Sequence, residues 1–272
     1  MSEDILNNSV ESQNGRSRRS ILRAGVGVGS VALLPGVAGA AKGKPTNEER
    51  AATARKQAGK IREKTGSRKR MLQFLKKKAD HIKTVPHEFG LAKKNNNGPS
   101  TNQWYDRTFS NSLTMTYYTD CASTSYANIF YDISMDTSTG LGSPGPDQIT
   151  LSWDDDHFRY NSDTADFSSS MDNLSVFDEE FNGVDFQFKD GAACSYGCGD
   201  KDFWVSCDAE FLSTNQERAV EAEYHDMYSE TKVTGFSVDQ SGSVSFNFST
   251  LEKWDEHARK VKEGGDAYNG CL

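Results

Sequence analysis

Two hydrophobic periods divide this chain. Between Thr46 and Val85 apolar residues recur at three- and four-residue spacing, as Leu72, Leu75, Ala79 and Ile82, with Met71 and Phe74 widening the stripe. Lysine and arginine cover the remaining positions. The pattern predicts two helices. Thr46-Asn47-Glu48-Glu49 is a capping box for the first, Gly66 ends it, Ser67 caps the second, and Pro86 ends that one. After Ser100 the period becomes two. Leu113, Met115 and Tyr117 alternate with polar residues, as do Val184, Phe186 and Phe188, and again Val244, Phe246 and Phe248. Further strands are expected at Ala127 to Ser134, Gln148 to Trp153, Leu174 to Phe177, Phe203 to Cys207, Ala219 to Ser229 and Lys232 to Val238. Turn signals separate them, at Thr139-Gly140, Ser143-Pro144-Gly145-Pro146, Asn182-Gly183, Asp190-Gly191 and Ser241-Gly242. Leu251 to Lys262 reads as a short closing helix. The expectation is an all-β fold, an antiparallel β-sandwich of about nine short strands, preceded by a basic helical arm.

Composition changes the picture of the core. Of 29 Phe, Tyr and Trp, 27 follow Ser100, where Leu and Ile are scarce. Each aromatic side chain buries roughly 150–250 Å², so an aromatic core compensates for the missing aliphatics.

Charge divides the chain more sharply still. Lys42 to Ser100 holds 17 Lys/Arg against 5 Asp/Glu, a balance of +12; Thr101 to Leu272 holds 10 against 31, a balance of −21. The asymmetry predicts two segments with different partners. One expectation is that the basic arm docks on the acidic domain of its own chain. A weak contact with an anionic membrane surface is another, and no specific nucleic-acid partner is expected. With 21 Asp among its 31 acids, the acidic part resembles proteins of salt-loving microbes.

Ser17-Arg18-Arg19-Ser20-Ile21-Leu22-Arg23 precedes a mildly apolar, glycine-containing run from Ala24 to Ala41, with small residues at Ala38-Gly39-Ala40. This stretch resembles a twin-arginine export signal with its cleavage site. The resemblance implies the twin-arginine translocase as a partner and a secreted or extracellular-surface location for a protein exported already folded. It gives three parts: signal peptide 1–40, basic helical arm or propeptide with linker 41–100, and acidic domain 101–272. Lys93 to Ser100 reads as a cleavable linker.

Five cysteines, Cys121, Cys194, Cys198, Cys207 and Cys271, fall in the part read as exported, so two disulfides and one remaining thiol are expected. Zinc held by Cys194, Cys198 and Cys207 is the alternative, although paired knuckles are missing. No metal and no cofactor is expected. Asp154, Asp156 and His157 form the densest acid–imidazole group, read either as a candidate Ca²⁺ or acid–base site or as a solvated turn after a strand. Glu221, Glu223 and His225 share one face of a strand, read as a proton relay or simply as the solvent side, and Asp226 interrupts the apolar opposite face. Asn173-Leu-Ser175 and Asn247-Phe-Ser249 have the form of glycosylation acceptors.

G-x-S-x-G, H-E-x-x-H, Walker and dinucleotide motifs are absent, which points away from an enzyme. The functional expectation is an exported, non-catalytic binding domain. The alternatives are an antimicrobial or toxin precursor released from its arm, and a small secreted hydrolase with a dispersed site.

Overall fold

The computed structural model describes residues 44–91, 107–120, 124–135, 146–171, 173–188, 201–212, 218–227, 233–248 and 254–263. The export-signal segment, the Lys93 to Ser100 linker, and Cys121, Cys194, Cys198 and Cys271 lie outside the described residues.

Helix α1 (Asn47–Thr65) begins at the capping box: Thr46 Oγ1 accepts from the Glu49 amide at 3.1 Å, and Glu49 Oε2 accepts from the Thr46 amide at 2.9 Å. Gly66, in the left-handed region at φ 60°, closes it. Helix α2 (Arg68–Lys78) starts from Ser67, whose hydroxyl accepts from the Arg70 amide. This helix is shorter than its apolar stripe predicts. Ala79 is already extended, and Asp80 accepts two hydrogen bonds from Arg50, each 2.9 Å, and one from the Thr119 amide at 2.8 Å. The chain then enters β1 (His81–Leu91), which pairs antiparallel with β2 (Arg107–Tyr118) from His81↔Tyr117 to Leu91↔Arg107. Long-range pairing therefore overrides the local stripe at Ile82. Pro86 is tolerated because β1 is an edge strand.

The first sheet continues through β3 (Tyr126–Met135) and β9 (Lys201–Phe211) to β5 (Phe158–Tyr160), with β6 (Asp166–Phe167) also pairing β9. The second sheet runs β13 (Trp254–Glu263), β10 (Arg218–Met227), β4 (Asp147–Trp153), β8 (Gly183–Phe188) and β7 (Ser175–Glu180). The expected closing helix over 251–262 is thus corrected. Residues 254–263 are a strand bonded along β10, from Arg218↔Glu263 to Met227↔Trp254. A separate hairpin, β11 (Val233–Val238) and β12 (Val244–Phe248), pairs only with itself among the described residues.

The molecule is an antiparallel β-sandwich with a helical layer on one outer face. Period-two alternation sends Leu113, Met115, Tyr117, Ile129, Tyr131, Phe203 and Val205 from the first sheet inward against Ile149, Leu151, Trp153, Phe186, Phe188 and Tyr224 of the second. The core is aromatic, with ring contacts such as Phe188–Phe203 at 5.1 Å and Phe158–Phe211 at 4.8 Å. Each buried Phe contributes roughly 1.5–3 kcal/mol. A second cluster joins Ala51, Ala54, Ala58, Met71 and Leu75 of the helices to Tyr118, Phe130 and Trp204 on the outward face of the first sheet. The helices and sandwich belong to one compact unit, Lys44–Leu272.

Candidate functional site: two buried polar layers

Both sheets carry polar residues on their outward faces, as alternation requires, yet both faces are covered. On the first sheet the outward positions Asn128, Asp132 and Asp208 are buried beneath α1. Arginines meet them. Arg55 Nε donates to Asp208 Oδ1 at 3.0 Å and Arg55 Nη1 to Asp166 at 3.1 Å. Arg62 and Arg68 both donate to Asp132, and Arg62 also reaches Asp202 at 3.1 Å. Asn128 donates to Asp208 Oδ1 at 2.6 Å and to the Ala51 carbonyl at 3.0 Å. Burial weighs against ionised Asp202, but bonds from Arg62 and Ser134 hold its carboxyl below the usual range. Asp208 behaves differently. Burial pushes it up despite Arg55, consistent with both donors meeting Oδ1 while Oδ2 has no partner.

On the second sheet, β4, β8 and β10 bring Gln148, Thr150, Asp185, Glu223 and His225 to the outward face, all buried. Hairpin β11–β12 covers them. Phe246 meets the His225 ring edge-on at 4.7 Å, and a side chain added at Gly183 would lie 2.7 Å from Val238. The hairpin turn is tied down: the Asp155 amide donates to the Gln240 carbonyl at 3.2 Å and the Asn182 amide group donates to the Asp239 carbonyl. Gly242, at φ 85°, lets the turn lie against the Trp153 backbone, where a Cβ would stand 2.8 Å from its carbonyl carbon.

Beneath the hairpin, His225 Nε2 and Glu223 Oε2 are 3.0 Å apart. Thr150 donates to Asp185 Oδ1 at 2.8 Å. With its amide nitrogen as donor, Gln148 reaches Asp185 Oδ2 at 2.7 Å and the Phe186 carbonyl at 3.2 Å. Burial pushes the Asp185 carboxyl well above the ordinary range; the Thr150 bond opposes this, and the negative charges of Asp178 and Glu223 add to it. No arginine or lysine is paired with this carboxylate group among the described residues. The arrangement can hold a proton on Asp185 and sets Glu223 and His225 at hydrogen-bond distance.

The two acid–imidazole groups singled out in the sequence have different fates. Glu223 and His225 come together, and the face read as the solvent side is the covered one. Asp185 was not singled out; it sits in a polar slot of an alternating strand, and its burial depends on a hairpin fifty residues further on. Asp226 pairs with Asp255 across β10 and β13, its side chain outside the described residues. Asp154, Asp156 and His157 form a turn between β4 and β5, with Asp154 Oδ1 accepting from the Asp156 amide at 2.9 Å and the Asp154 carbonyl from the His157 amide at 3.1 Å. Cys207 is a free, fully buried thiol facing the core. Burial pushes it well above the usual thiol range. No group of three or more His, Cys, Asp or Glu able to hold a metal occurs among the described residues, and no helix there is long and apolar enough to cross a membrane. Asn173 is exposed in a left-handed turn conformation before β7, at φ 63°.

No protein-family model and no curated protein matches the chain. Solved structures similar to it include a pore-forming protein (8% identity, 69% of this chain and 93% of that one, TM-score 0.33). Others are a Fap1 fimbrial structure from Streptococcus parasanguinis (10%, 69% and 98%, 0.28) and the pilus backbone of Streptococcus pneumoniae (11%, 66% and 79%, 0.27).

Proposed function

We propose that this chain is an exported, non-catalytic β-sandwich binding domain, released from the cell or held at its surface. The observation that carries the reading is the placement of the reactive groups. Asp132 and Asp208 are seated under helices, and Asp185, Glu223 and His225 under a hairpin. Asp132 and Asp208 fix the helices above them by ion pairs, the second group is closed off beneath its hairpin, and recognition is left to the outer surface. A toxin released by loss of the basic arm fits less well, because removing α1 and β1 strips the cover from Asp132 and Asp208 and leaves one edge of β2 unpaired.

The test combines export with turnover. Arg18→Lys with Arg19→Lys should leave precursor in the cytoplasm, and unchanged secretion of that variant would remove the twin-arginine reading. Secreted protein should bind an extracellular carbohydrate or protein array without converting any component. Turnover of a panel of esters, peptides or glycosides that disappears in His225→Gln would instead favour the hydrolase.

A further inference from the structure

The helical layer turns three of its arginines inward and its lysines outward. Its arginines Arg55, Arg62 and Arg68 face the sheet and are held by aspartates. Its lysines face out. Lys56, Lys60 and Lys64 recur every four residues along one exposed stripe of α1, and Lys69, Arg70, Lys76, Lys77 and Lys78 are exposed on α2. None of these eight has an ion pair among the described residues. The acids of the same layer are engaged elsewhere: Glu48 with Asn161, Glu49 in the capping box, Glu63 with the Ser169 amide, Asp80 with Arg50. The outer side of the layer is thus an uncompensated cationic face, whereas the polypeptide after Ser100 is strongly acidic.

We propose that the lysine face of α1 and α2 is a docking surface for an anionic lipid bilayer. The inference rests on the reading of the chain as exported, since the cell envelope is the broad anionic surface an exported protein meets. Phe181 and Leu212, the exposed large hydrophobics among the described residues, lie outside both helices, so contact is by charge without insertion. A lysine close to an anionic bilayer strengthens partitioning about fivefold, and the attraction decays within a Debye length of about 10 Å at 0.1 M salt. The acidic sandwich is repelled by the same surface, which orients the molecule with its helices toward the lipid.

The test is co-sedimentation of the full chain with vesicles of phosphatidylcholine, with and without phosphatidylglycerol, at low and high salt. Binding should require phosphatidylglycerol and vanish at high salt. Lys56→Gln/Lys60→Gln/Lys64→Gln, all at exposed positions, should weaken it about a hundredfold, three lysines at about fivefold each, whereas Asp156→Asn/Glu180→Gln should not weaken it. Equal partitioning of the triple variant and the parent overturns the proposal, because binding would then come from another segment such as the arginine-rich amino terminus. Tighter binding to duplex DNA than to the anionic vesicles, or low-salt self-association that the triple variant abolishes, also overturns it in favour of those partners. Any of these failures leaves the export and turnover tests unaffected, so the two readings fall separately.

Discussion

The two sheets of the sandwich bury their polar outer faces by opposite means. Under the helices, carboxylates are met by guanidinium groups, so negative charge is balanced by positive charge inside the protein. Under the hairpin, two carboxylates and an imidazole are met by Thr, Gln and an aromatic edge, and Asp185 is relieved of its charge by keeping a proton. Stability of the first cover depends on geometry, because a misplaced arginine leaves a buried charge unpaired. Stability of the second depends on pH. One face of the fold is thus fixed by ion pairing and the other by protonation, although both arise from the same period-two strand pattern.

Removing a partner on the ion-paired side should have the largest effect. Asp132→Ala leaves Arg62 and Arg68 without their shared acceptor and should cost about 3–5 kcal/mol by denaturant unfolding. Arg62→Met combined with Asp132→Leu should recover most of that loss; a double variant no better than Asp132→Ala would show that the pair does not act as a unit. On the hairpin side, Gly242→Ala forces a Cβ against the Trp153 backbone at a left-handed residue and should cost about 1–3 kcal/mol. Hydrogen exchange should rise first in β11 and β12, and uniform loosening of all strands would contradict a hairpin seated as a separate cover. In α1, Gly59→Ala gains up to about 1 kcal/mol of helix propensity. It also places a methyl 2.5 Å from the Trp204 ring, itself buried against Phe130, so crowding should win by a small margin. A thermal melt above the parent's would show that the helix can lift away. Thr46→Ala should cost about 1 kcal/mol from loss of the cap, read as fraying of the first turn of α1 by hydrogen exchange.

Much of the sandwich was legible because its signals are local. The alternations at Leu113-Met115-Tyr117 and Val184-Phe186-Phe188 place core residues correctly, and the capping box at Thr46 marks the true start of α1. Misreadings occur where distant segments decide. Ile82 continues a helical stripe on paper but is claimed by pairing with Thr116, and Leu251 to Lys262 has helical residues in a segment that β10 recruits as an edge. Val244 and Phe246 alternate as a sheet strand would, yet belong to a hairpin laid over the second sheet. The candidate site suffered the same way. Glu223 and His225 share a face by simple parity, but only the hairpin turns that face inward. Nothing adjacent to Asp185 announces its burial.

The most direct test of the contrast between the two covers is unfolding free energy against pH for the parent chain and Asp185→Asn. A carboxyl raised in the folded state contributes stability that is fully present below its unfolded value, near 3.8, and is lost as pH rises through the folded value. Asp208 slopes the same way, whereas lowered Asp202 adds stability that is lost as pH falls, so the parent curve alone mixes both faces. The difference between the two chains isolates Asp185. As pH rises above about 4 that difference should move against the parent until its folded carboxyl has ionised, because only the parent acquires a buried negative charge beside Glu223. Parallel curves across the whole range would contradict the account, showing that the hairpin covers an aspartate whose ionisation costs the fold nothing.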